Sequence, residues 1–165
     1  MHKDLNKQIL IRNIGFSLLS EGKTLKIRAD GYSMYPSVRP GSLIFIEPLP
    51  EDTEPAPGDL IAWKRETGFV VHRLTEIKRQ DNDIKYITRG DSCANEDAPV
   101  SRDQIAGKVI RIEDPGGIIR TEKEFIRNPA YFYNRIIVWL LLRSKKFIKL
   151  MTRIQKADKG KIETK

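Results

Sequence analysis

The sequence predicts a single mainly-β domain: a compact antiparallel sheet assembly flanked by an N-terminal and a C-terminal helix. Three observations carry this. Between residues 23 and 109, short apolar runs of strand length alternate with Gly, Pro and Asp punctuation. Several of those runs are rich in β-branched residues, as in LIFIE at 43–47 and FVVHRLTEI at 69–77. Apolar residues at helical spacing mark the two ends of the chain. With 165 residues and 39% hydrophobic content, the chain can bury one core and falls short of two.

The elements follow in order. Residues 4–20 read as an amphipathic helix, because Leu5, Ile9, Ile14 and Leu18 recur near helical spacing, and Gly22 suits its C-cap. Strands are expected at 24–28, 42–48, 59–64, 69–78, 84–89 and 104–113. Pro115-Gly116-Gly117 marks a boundary. Beyond it, residues 121–127 are expected to open a helix that Asn128-Pro129 interrupts, and residues 130–156 to form the second helix. The organisation expected is therefore 1–22 as an N-terminal helix, 23–114 as a β domain, and 115–165 as a C-terminal basic amphipathic helix and tail.

Composition excludes several classes. The lone Cys93 rules out an internal disulfide framework and a CxxC metal site. With His2 and His72 as the other soft ligands, a structural zinc site is not expected, and no cofactor is called for. The net charge is +8, but ten Lys/Arg and two acids fall within 135–165, which leaves the first 134 residues neutral at twenty of each sign. The excess is a tail, a handle for anionic surfaces, and specific nucleic-acid recognition is not expected. No secretory leader is read at the N-terminus, and no run reaches the roughly 18–20 apolar residues that span a bilayer.

Three segments could carry chemistry. Tyr32-Ser33-Met34-Tyr35-Pro36 lies between two expected strands, where a turn can expose Ser33 and bring nearby backbone N–H groups to an oxyanion. An ordinary turn serine would look the same. Val70-Val71-His72-Arg73 puts an imidazole in a strand, where it is either a general base or a satisfied structural histidine. Gly90-Asp91 with Asp97 supplies two carboxylates in a loop, one able to fix the tautomer of a catalytic histidine and one able to shape the turn.

Taken in sequence, Ser33-Met34-x-Pro36, Gly41, Gly58-Asp59, His72-Arg73, Gly90-Asp91 with Asp97, and Gly107-Lys108-Val109 resemble the S24/S26 superfamily of signal-peptidase and LexA-like proteins. The match runs over about residues 25–109. His72 stands where many members place a lysine, which resembles the Ser-His branch, in a compact form without an N-terminal transmembrane anchor. The resemblance implies a serine endopeptidase that cleaves signal or leader peptides from precursor proteins. It implies Ser33 as nucleophile, His72 as base, Asp97 as third member, Asp91 in the supporting network, and Tyr32, Ser33, Met34 and Pro36 around the oxyanion and substrate. One departure is Gly41-Ser42, where the superfamily usually has Gly-Asp, so a structural acid is expected to be missing. A catalytically silent peptide- or membrane-binding module and a LexA-like regulator are the competing readings.

The stretch 130–156 carries Tyr131, Phe132, Tyr133 and Trp139, followed by a cationic run, as a helix at an anionic membrane surface requires. Peripheral membrane association in a prokaryotic cell is the expected location. Docking of IIVWLLL (136–142) on the domain is the alternative.

Overall fold

The computed structural model describes Leu10 and residues 13–65, 68–80, 83–125 and 128–162, with side chains to Lys146. It is mainly β. Helix α1 covers residues 13–20; the remainder of the expected 4–20 helix, apart from the helical Leu10, lies outside the described residues. Gly22 ends α1 with φ 77°, while the Lys23 N–H reaches Leu18 O and the Gly22 N–H reaches Leu19 O. That is the paired closure which a glycine in the left-handed region allows.

The strands are β1 (Leu25–Arg28), β2 (Leu43–Pro48), β3 (Leu60–Arg65), β4 (Gly68–Gln80), β5 (Asp83–Arg89), β6 (Ile105–Glu113) and β7 (Ile119–Thr121). All pairings are antiparallel, in the order β1-β2-β6-β3-β4-β5, with β7 also on β6. The six expected strands are present within two residues at each end. β6 is the spine: β2 covers one edge, and β3 covers the first half of the other as far as Lys108. That leaves residues 111–113 an open edge, which β7 fills. This is why the helix expected from residue 121 does not form there. Thr121 ends a strand and caps a single 3-10 turn at Glu122–Glu124, with its N–H donating to Glu124 Oε2 at 2.7 Å.

Alternation along each strand feeds two apolar clusters on opposite faces. Leu60 and Ala62 of β3 join Leu19, Met34, Val38, Ile44, Ile46 and Val109 on one face. Ile61 and Trp63 join Leu74, Tyr86, Val100 and Ile105 on the other. Strands β2 and β6 approach so closely at Gly107 that a Cβ there would lie 2.2 Å from Glu47 O, so the glycine is a packing requirement.

Helix α2 (Tyr131–Ile162) follows. No helix among the described residues is long and apolar enough to cross a membrane.

Candidate active site

Ser33 sits in the loop between β1 and β2. Two backbone bonds pinch the base of that loop: Ala29 N–H to Ser42 O at 2.8 Å and Gly41 N–H to Ala29 O at 2.6 Å. Met34 and Val38 sink into the first core cluster, at 4% and 2% exposure, so the turn cannot lift away. Ser33 itself stays half-buried. Its carbonyl accepts from Ser92 N–H at 2.9 Å, and the Ser92 hydroxyl donates to Tyr32 O at 2.6 Å, 3.1 Å from Ser33 O. Ser92 thus clamps the Ser33 turn from across the sheet. Sequence reasoning missed it; its only signal was its place directly after Gly90-Asp91. Among the described residues the Ser33 and Met34 N–H groups enter no hydrogen bond. Pro36 follows a cis Tyr35–Pro36 bond, and Tyr32 packs 6.3 Å from the Tyr35 ring.

His72 is buried in β4, opposite Ile61 of β3. Its Nδ1 lies 2.6 Å from Asp97 Oδ2, and that oxygen also accepts from Thr88 Oγ1 at 2.6 Å. The Asp97 N–H donates to Thr88 O at 2.8 Å, so Thr88 holds Asp97 by side chain and backbone together. Partial burial pushes the Asp97 carboxyl upward. Hydrogen bonds from His72 and Thr88, with the charges of His72 and Arg65, outweigh this and hold it below the ordinary aspartate value.

With Nδ1 committed to Asp97, Nε2 is the free ring nitrogen. It lies beside the Ser33 turn: a Cβ placed on Gly90 would lie 3.0 Å from His72 Nε2, 2.7 Å from Ser33 O and 2.6 Å from Cys93 Sγ. Gly90 is the hole through which the two segments meet. Ser33 Oγ makes no hydrogen bond to the imidazole in this structure; in serine hydrolases such contacts commonly tighten only with substrate. Ser33, Met34, His72, Cys93 and Asp97 line one cleft of about 590 Å³. Burial, with Asp97 nearby, raises the Cys93 thiol and keeps it protonated. A larger cleft of about 800 Å³, between α1 and Arg102, shares no residue with this one.

Asp91 is elsewhere. It is wholly buried, and both its oxygens are taken by Arg73, at 2.8 Å from Nε and 2.8 Å from Nη2. Arg73 also donates to Gly58 O and to Ser37 Oγ. Asp97, not Asp91, is thus the carboxylate on the histidine. An acid meets Ser42 from the residue after β6: Ser42 Oγ donates to buried Asp114 at 3.0 Å, and Arg120 closes on both oxygens of the same carboxylate. Asp59 accepts from the Ala56 N–H and pairs with Lys108 at 3.0 Å, linking the Gly58-Asp59 and Gly107-Lys108 elements.

Two strand edges border the cleft. β1 pairs only with β2, and its Ile27 and Arg28 line the opening. Across from it, Phe69 to His72 of β4 pair with β3 on one side, and β5 pairing begins only at Arg73.

The chain is 32% identical over 96 residues to signal peptidase I W of Bacillus subtilis (strain 168), an alignment that covers 57% of this chain and 50% of that protein. The chain therefore spans about half the length of the curated relative it matches. No protein-family model matches it. The similarity is distant and partial, and it supports a relationship to signal peptidases at most.

Proposed function

We propose that this chain is a serine endopeptidase of the signal-peptidase type, acting through Ser33, His72 and Asp97. One observation carries it: the Thr88–Asp97–His72 chain of bonds ends in a free imidazole nitrogen beside the Ser33 turn, in a cleft bordered by two open strand edges. An extended segment of a precursor protein would add between β1 and β4 by main-chain hydrogen bonds. His72 Nε2 then takes the Ser33 Oγ proton as Oγ attacks the scissile carbonyl, and Asp97 stabilises the imidazolium. The Ser33 and Met34 N–H groups receive the oxyanion. His72 returns the proton to the leaving amine, and a water molecule resolves the acyl-enzyme by the same route. Arg73 and Asp91 hold the loops in place and take no part in proton transfer.

The test is cleavage of a leader-bearing precursor by the full chain and by Ser33→Ala and His72→Ala. Each substitution should reduce kcat by about a thousandfold or more, with the fold retained. Activity persisting in either variant would remove that residue from the mechanism.

A further inference from the structure

Helix α2 has two faces of different character. Tyr131, Asn134, Val138, Leu141 and Lys145, spaced at helical intervals, form the side turned to the body. Asn134 is buried and its Nδ2 donates to Asp91 O at 3.0 Å. The Arg89 guanidinium lies 4.0 Å from the centre of the Tyr131 ring. Lys145 Nζ bonds the Tyr32 hydroxyl and sits 5.0 Å from the centre of that ring. These contacts set which side of the helix faces the body.

That other side is apolar and uncovered. Phe132, Tyr133, Ile136, Trp139 and Leu140 are between 39% and 68% exposed. A water-facing helix normally turns charged residues outward, so this face calls for an apolar partner. The charges around it name the partner's chemistry. Arg135 lies 5.9 Å from the Phe132 ring centre and Arg143 4.6 Å from the Trp139 ring centre, and exposed Lys146 follows. Ten basic residues against two acidic ones over 135–165 would repel a second copy of the same helix. Aromatic rings beside cations match the headgroup zone of an anionic bilayer, and the helix is not one that can span it.

We propose that the outward face of α2 lies in the surface of an anionic lipid membrane and holds the Ser33 cleft there. Because the inward face touches Tyr32, next to Ser33, and the Asp91 carbonyl, the same helix that meets lipid fixes the position of the cleft above it. The purpose of this arrangement rests on the peptidase reading; the binding does not.

The experiment is flotation of the full chain with vesicles of phosphatidylcholine containing phosphatidylglycerol, and with vesicles of phosphatidylcholine alone. Wild type and Ser33→Ala should both float with the anionic vesicles, float poorly with the neutral ones, and lose binding in high salt. The Ile136→Glu/Leu140→Glu variant should partition at least about tenfold less. Both positions are exposed, so its thermal unfolding and its cleavage of a soluble peptide should match wild type. In the wild type, Trp139 emission should shift to the blue on anionic vesicles, and this reads insertion without any loss-of-function variant. Absence of flotation, equal flotation of the double-Glu variant, or an unchanged Trp139 spectrum overturns the proposal. So does a wild-type dimer that the variant abolishes without any vesicle binding, since a second copy would then be the occupant. If neither protein cleaves peptide but flotation behaves as stated, the peptidase reading fails and this one stands.

Discussion

At the scale of single residues, the site depends on what orients His72. Nδ1 must be occupied for Nε2 to act as base, and Asp97 can occupy it only because Thr88 fixes the carboxylate. Thr88 is wholly buried and touches no substrate, so it is a positioning residue. Thr88→Val keeps the volume and removes one hydrogen bond to a charged oxygen, a loss of about 1.5 kcal/mol. The pH dependence has a definite sign. Asp97 has a folded pKa below its ordinary value. Its contribution is complete above the ordinary aspartate value and disappears as pH falls through the lowered one. Thr88→Val lifts the folded value back toward the ordinary one, so the contribution is smaller and its loss is complete at a higher pH. Melting temperatures across the acid range should separate wild type from variant most above the ordinary aspartate value and converge below both values. The acid limb of kcat/KM should move upward in the variant. Parallel curves at all pH values would show that Thr88 does no more than fill space.

At the scale of elements, Arg73 joins pieces that the sheet alone does not. From β4 it binds Asp91 after β5, Gly58 before β3 and Ser37 in the Ser33 loop. Both members of the ion pair are almost wholly buried, so removing one leaves the other charged and without water. Asp91→Ala should therefore destabilise by about 3–5 kcal/mol in denaturant unfolding. A cost near zero would mean that Arg73 escapes to solvent, and the loops would then be held by other contacts. These links explain what was legible in the sequence. The strands were, because β-branched runs and Pro/Gly breaks are local signals that the sheet obeys. The pairing of His72 with Asp97 was, through their order in a pattern and not through either residue alone. The strand β7 was not, since three residues have no period of their own and pair only because β3 leaves half of β6 open. Nor was Asp114 as the partner of Ser42, a contact across 72 residues, or Ser92 as the clamp on Ser33. Such pairs exist only once distant strands are side by side.

At the scale of the whole molecule, a neutral β body carries the cationic helix α2 across the loops that form its site, and Asn134 is the buried joint between them. Its amide is the donor to the Asp91 carbonyl, and Asp91 is itself locked to Arg73. Asn134→Ala leaves that carbonyl buried under the helix without its donor, at a cost of about 1–3 kcal/mol. For a chain of this size, each kcal/mol corresponds to roughly 2–4 °C in Tm, so a fall of several degrees is expected. The outward residues of α2 are untouched by this change, and vesicle binding should persist. Cleavage should fall even with a soluble peptide, because Ser92 directly follows Asp91 and clamps the Ser33 turn. Ile136→Glu/Leu140→Glu should show the opposite pattern, with binding lost and soluble-peptide cleavage kept. The two variants together separate the two faces of one helix. If Asn134→Ala leaves both Tm and cleavage at wild-type values, α2 rests on the body without supporting its loops, and the Ser33 turn is held by Ser92, by buried Met34 and Val38, and by the Arg73–Ser37 bond without it.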